Sequence, residues 1–381
     1  MRWRLARTCL IGGWLATAPV VAAAAPPGTA PHPAPLVRWQ LPMPGWGEPA
    51  ADDSAAYFLT RTHEVVAVDG ATGSINWRGP TGGTGEVPTG TQVRLAASRV
   101  LVGDGGVAAF DRASGRRVWR FDAPDGDDAG VFLGAASADL VVAGSPMGRL
   151  YALDARSGAV RWTRDVGAGA RRVVFAPVLA GPIVVASFTT FDGPPCGGLV
   201  AFDRTGRRRW MHRFDATAGA AGPPIVAGNV VVVARTDGRI EAVRPASGAL
   251  AWRLGPETPS PGDSGGRDIR ALAPYAHQLV ATSLKGPIRA YDVGSGRPRW
   301  EYVDNPIDAV ALRVRVHGEQ LYVPYSDGTL VALDARTGRE CWRTDAAGES
   351  FDWPPAASAT FVFVAAAEAL WAFHIHPLDH R

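Results

Sequence analysis

Along most of the chain, apolar residues come in runs of three to six that alternate with polar ones and are punctuated by Gly, Pro and Asp. Runs such as Leu140-Val141-Val142-Ala143, Val230-Val231-Val232-Val233 and Leu321-Tyr322-Val323 have the length and branching of β-strands. Tight-turn strings follow them, as in Pro146-Met147-Gly148, Asp237-Gly238 and Asp327-Gly328, and each leads into a second apolar run. A further short run comes before, for instance over residues 131–135 or 173–179. The pattern predicts four antiparallel strands per unit and an all-β chain.

The units repeat. The motif is apolar–x–Ala–apolar–Asp, a short turn with Gly, three residues and Trp. It reads Val66-Ala67-Val68-Asp69 with Gly73 and Trp77, then Ala108-Ala109-Phe110-Asp111 with Gly115 and Trp119. Tyr151-Ala152-Leu153-Asp154 with Gly158 and Trp162 follows, and Val200-Ala201-Phe202-Asp203 with Gly206 and Trp210 is one residue shorter in its turn. The fifth copy, Glu241-Ala242-Val243 with Gly248 and Trp252, has Arg244 in place of the aspartate. Arg289-Ala290-Tyr291-Asp292 with Gly296 and Trp300, and Val331-Ala332-Leu333-Asp334 with Gly338 and Trp342, complete seven. Aspartate at a strand end accepts backbone N–H bonds from the turn, and glycine supplies the positive φ that closes it.

A four-stranded unit at this period is a propeller blade. The chain ends set the blade number. Residues 361–366 and 370–374 form two more strands, whereas Leu36-Val37-Arg38-Trp39-Gln40-Leu41 is a lone strand with a tryptophan, placed ahead of the first full unit. Paired together, the two ends complete an eighth blade and remove an exposed edge that would invite aggregation. The expected fold is an eight-bladed β-propeller of four-stranded antiparallel blades over residues 36–376, closed by the N-terminal strand, with 377–381 as a tail. Tryptophans at equivalent positions are expected to be buried wedges between blades, each covering about 150–250 Å².

Ahead of the propeller, Arg2, Arg4 and Arg7 precede an apolar stretch from Cys9 to Val21 and the small residues Ala22–Ala25. This reads as a secretory signal over residues 1–25, followed by a proline-rich tether over 26–35. No later stretch is long and apolar enough to span a membrane as a helix. The expected location is periplasmic or secreted. Cys9 opens the apolar stretch instead of following it, so it does not support lipid anchoring. The formal charge of +3 rests on the leader arginines. A generally basic surface for nucleic acid or anionic lipid is thereby excluded. Cys196 and Cys341 lie three repeats apart, too far for a disulfide on a large ring, and no Cys/His spacing suits a metal.

The string Ala152-Leu153-Asp154-Ala155-Arg156-Ser157-Gly158-Ala159-Val160-Arg161-Trp162 resembles the tryptophan-docking repeat of quinoprotein-like (PQQ-like) eight-bladed propellers, and the resemblance covers about residues 36–374. Two branches of that family bear on function. One comprises dehydrogenases that hold pyrroloquinoline quinone and calcium over the propeller axis. The other is non-catalytic and is typified by the BamB scaffold of outer-membrane barrel assembly. The first implies an adjacent cysteine pair and large pocket-building insertions, neither of which is found here. The resemblance therefore implies an exported, non-catalytic scaffold with no cofactor, a monomer within a complex, that holds an envelope protein through blade-connecting loops. A small quinone-dependent dehydrogenase of an alcohol or sugar is the alternative, and a ligand sensor using the axial pocket is a third reading.

No catalytic, cofactor-binding or metal-binding residue is assigned. Gly262-Asp263-Ser264-Gly265-Gly266 copies the string around a serine-protease nucleophile but has no matching histidine and aspartate signatures, so it reads as loop. Residues 255–268 form the longest loop, where partner binding is expected to concentrate. Asp192-Gly193-Pro194-Pro195-Cys196 reads as an expanded hairpin turn, a contact loop or a neutral insertion. His374, His376, His380 and Asp379 read as a strand end and solvated tail, although two histidines on one strand face can bind a metal. His63 and His277 are expected in short turns without a role. Arg94, Arg270, Arg313, Arg315, Asp308 and Asp352 lie near innermost strands and are candidates to line the axial channel.

Overall fold

The computed structural model describes residues 36–84, 91–124, 130–166, 172–190, 196–215, 218–255, 269–283, 286–304, 313–345 and 347–375, without the side chain of Arg270. All regular structure among them is β, in eight antiparallel sheets arranged as an eight-bladed propeller. Blades one to seven occupy residues 45–80, 93–121, 132–165, 172–213, 225–254, 269–302 and 315–343, each meandering from its innermost strand outward. Blade eight runs Ala356–Ala357, Phe361–Ala365 and Leu370–His374, and its outermost strand is Val37–Leu41 from the other end of the chain.

One pairing recurs in every blade. The tryptophan of the outermost strand sits opposite the motif alanine of the third: Ala67 with Trp77, Ala109 with Trp119, Ala152 with Trp162, and likewise through Ala332 with Trp342. At the seam the same pair forms between the two ends of the chain, Trp39 opposite Ala372. Alanine leaves room for the indole to lean over the strand and reach the next blade. There it lies against the turn glycine. A methyl group on Gly158, whose φ is +73°, would stand 2.6 Å from the ring of Trp119. Gly73 stands in the same relation to Trp39 across the seam.

The indole N–H completes the dock by donating to a backbone carbonyl of the following blade. Trp39 reaches Gly70 at 2.9 Å, Trp77 reaches Arg112 at 3.0 Å, Trp119 reaches Ala155 at 3.1 Å and Trp252 reaches Val293 at 2.6 Å. Trp300 bonds the Gln278 side-chain oxygen instead, and the Gln278 amide in turn bonds the carbonyl of Arg336. Trp342 departs from the series. It faces blade eight, where the turn is replaced by the two chain ends, and its buried Nε1–H has no partner among the described residues.

The core lies between blades. Leu101, Val107, Ala109 and Trp119 of blade two pack on Leu133, Val141, Tyr151 and Leu153 of blade three, and equivalent layers continue around the ring. The innermost strand expected over 173–179 is broken into Arg172–Val174 and Val178–Ala180, both paired with Ile183–Thr190. Pro177 has no N–H for the ladder and a fixed φ, and the break falls just before Val178.

Because successive strands alternate in direction, turns between strands one and two and between three and four share one face of the disc. Hairpins between strands two and three share the other face with the blade-to-blade connections. Turns of the first face span two to six residues, whereas the connections between blades one to eight span six to fourteen. The second face is the loop face, and long loops on a rigid scaffold are where binding concentrates.

Candidate protein-binding face

The axial opening is lined by innermost strands. Glu48 of blade one is 7% exposed, and its Oε1 accepts from Arg94 Nη1 of blade two at 3.0 Å. The same oxygen accepts from Arg315 of blade seven. A blade-seven arginine meets a blade-one glutamate only by reaching past blade eight across the axial opening. Arg94 also bonds Gln92 at 2.7 Å, and Arg315 bonds the Pro355 carbonyl at 3.2 Å. Burial pushes Arg94 down to about 10 and lowers Arg313 and Arg315 as well. All remain cationic at neutral pH.

Of the other expected channel residues, Arg313 lies over the ring of Trp353 at 5.4 Å, nearer the loop face. Asp352 is exposed and bonded to the Ser350 hydroxyl at 2.5 Å. The Arg270 side chain and Asp308 are outside the described residues.

A second polar cluster joins blades four and five, and the motif contains its signal. In the slot ahead of the motif alanine, where five copies have Val66, Ala108, Tyr151, Val200 and Val331 and the sixth has the half-buried Arg289, the fifth has Glu241, fully buried. It accepts from Arg235, which is also fully buried, and lies 2.7 Å from His212 Nε2 of blade four and 2.9 Å from Arg253. Arg235 bonds Asp215 at 2.6 Å and Asp237 at 2.7 Å. Burial alone would raise the Glu241 carboxyl. Its hydrogen bonds from His212 and Arg235, with the charge of Arg253, hold it below the ordinary carboxylate range. Sequence reading saw Glu241 only as a strand position.

Two more clusters link neighbours on this side. Tyr302 of blade six donates to Glu340 of blade seven at 2.5 Å, and Arg343 bonds Glu340 at 2.8 Å and Asp304 at 3.1 Å. Desolvation, then the bond to Glu340, pushes the Tyr302 phenol far above its usual range. His63, expected to be a plain turn residue, places Nδ1 2.9 Å from the buried Asp104 of blade two. Asp104 also accepts from the Thr81 hydroxyl. Sequence spacing carries no hint of this pair, since it forms between two separate hairpins. His374 ends its strand with its ring edge-on to Phe361, centroids 5.5 Å apart. His376, His380, Asp379, residues 192–195 and the 262–266 string lie outside the described residues, as do residues 1–35 and 377–381.

The described axial residues do not fit a quinone–calcium site. Calcium takes six to eight oxygen ligands, whereas the described axial carboxylate is Glu48, already held by two arginines. No group of three or more His, Cys, Asp or Glu among the described residues is placed to hold a metal. Cys196 beside Thr190 in blade four and the buried Cys341 in blade seven are free thiols. What the clusters provide is a charged, partly buried surface whose side chains are pinned by their neighbours. No helix of the described residues is long and apolar enough to cross a membrane.

Curated relatives of this chain include proteins named outer membrane protein assembly factor BamB. The chain is 31% identical to that of Bordetella pertussis over 168 residues, covering 41% of this chain and 42% of the relative. It is 26% identical to that of Burkholderia pseudomallei over 273 residues, covering 66% of each. The match thus spans less than two thirds of either relative. Among solved structures, the computationally designed Ika8 protein superposes with a TM-score of 0.71 at 18% identity, covering 90% of this chain and all of that one. The quinohemoprotein alcohol dehydrogenase of Comamonas testosteroni gives 0.64 at 13% identity, covering 91% and 77%. At such identities these two show the fold alone. The family model described as outer membrane protein assembly factor BamB matches residues 35–191, 176–315 and 285–379, and the chain therefore belongs to that family.

Proposed function

We propose that this chain is a non-catalytic, periplasmic scaffold that holds a protein partner in outer-membrane protein assembly, exported by a leader over residues 1–25 and working without a resident cofactor. The observation that carries the reading is the family match over the whole ring, from residue 35 to 379. The loop face supports it: long connections stand on rigid blades, and buried ion clusters at the seams hold their bases. An enzyme of the quinone branch needs a pocket and a metal, and the axis described above offers an arginine-held glutamate.

The test is photocrosslinking in the envelope from single positions on either face, with Met147 for the loop face and Ser157 for the turn face. The expected result is a discrete crosslink from Met147 to a barrel-assembly protein and none from Ser157. Calorimetric titration with pyrroloquinoline quinone plus calcium is expected to give no heat. Micromolar binding there, with no envelope crosslink, would overturn the proposal.

A further inference from the structure

We propose that the loop-face mouth of the axial opening, between blades one, seven and eight, docks an extended acidic segment of the protein partner. This rests on the partner-binding reading above and adds the chemistry of the contact. Trp46 and Trp353 belong to no inter-blade dock. They meet edge to face with ring centroids 5.4 Å apart. Arg61 lies over the Trp46 ring at 4.7 Å, and Arg313 lies over Trp353 at 5.4 Å. Arginine, tryptophan, tryptophan and arginine thus form one row, with about 5 Å from each to the next.

Both indoles are partly exposed, and Arg61 is exposed. Neither Arg61 nor Arg313 has a carboxylate partner among the described residues. Stacking on an indole fixes a guanidinium plane and leaves its N–H edge free to bind a carboxylate in bidentate fashion. Below the row, Arg94 and Arg315 share the single Glu48. Two arginines thus share one carboxylate and two have none among the described residues, so the charge of this group is positive.

The shape favours a peptide over a small anion. A small anion engages the guanidinium groups and leaves the indoles unused. An extended chain advances about 3.3 Å per residue, so four or five residues follow the row. Side chains at i, i+2 and i+4 share one face, so an acidic, an aromatic and an acidic residue there reach the first guanidinium, the paired indoles and the second guanidinium. Trp and Arg are also the residues that most often dominate binding energy at protein interfaces. A nucleic acid strand matches the row less well, because the chain as a whole carries a formal charge of only +3.

The experiment is fluorescence anisotropy of the purified protein with a fluorescein-labelled heptapeptide that has aspartate, phenylalanine and aspartate at its second, fourth and sixth positions and serine elsewhere. A lysine-for-aspartate version, citrate and oligothymidylate are run alongside. The acidic peptide is expected to bind, to weaken with added salt, and to outcompete citrate and oligothymidylate. The Arg61→Ala/Arg313→Ala double variant is expected to bind it about tenfold or more weakly, with unchanged thermal unfolding, whereas Arg38→Ala on the turn face binds normally. Absence of peptide binding, equal binding by the double variant, or tighter binding of citrate or oligothymidylate would each overturn the inference. If Met147 still crosslinks to an assembly protein in that event, the scaffold reading stands without it.

Discussion

The indole N–H of Trp119 in blade two donates to the carbonyl of Ala155 in blade three at 3.1 Å, and its ring lies on the Cα of Gly158. One side chain thereby satisfies a buried donor, fills an inter-blade wedge and requires a residue without Cβ in the next turn. Repeated around the ring except at Trp342, the seating of the indole on a turn glycine couples one blade to the next, which suits a rigid platform for loops.

Trp119→Phe is expected to destabilise the protein by about 1–3 kcal/mol through the lost bond to a buried carbonyl and the lost ring area. Trp342→Phe is expected to cost less, since its Nε1–H is buried without a described partner and its removal relieves a desolvated donor. Urea unfolding of the two variants decides the point. Equal losses would show that the Trp342 N–H is satisfied in solution.

Removing residues 1–41 deletes the outermost strand of blade eight and with it the Trp39 dock onto Gly73. The strand Leu370–His374 then becomes a bare edge. The truncated protein is expected to unfold at a markedly lower temperature and to self-associate on size-exclusion chromatography. A monomer of unchanged melting temperature would mean that closure contributes little.

Glu241→Ala leaves Arg235 buried without one of its anions and is expected to cost about 3 kcal/mol, whereas replacing both residues by leucine recovers much of the loss. The pH dependence has a definite sign. The Glu241 carboxyl is held below its ordinary value near 4.5 in the folded protein. Its contribution is therefore full above that pH and is lost as pH falls through the lower folded value. Wild type is expected to lose stability below pH 4.5 faster than Glu241→Gln. Parallel curves in acid denaturation would refute the assignment.

Much of this was legible in the chain. The Ala–Asp–Gly–Trp spacing is local, and each copy closes its own hairpin, so blade type and blade number follow from the motif and the unequal chain ends. The split at Pro177 was a proline effect within an apolar run. The polar clusters were less legible. Arg94 and Arg315 stood out as channel candidates, but their shared partner Glu48 did not, since it lies 267 residues from Arg315. Glu241 carried a partial signal, a carboxylate in a mostly apolar slot of the motif, but its partner His212 in blade four did not.

The sequence by itself determined the all-β repeat, the eight blades and the closing strand, because hairpin formation and tryptophan docking depend on spacings within one repeat and its neighbour. The tertiary structure alone decided that Arg315 crosses to Glu48, that His63 meets Asp104 and that Trp46 of blade one meets Trp353 ahead of blade eight. Those contacts join side chains from separate blades. They exist only once ring closure brings distant strands around a common axis, and nothing in the spacing along the chain encodes that distance.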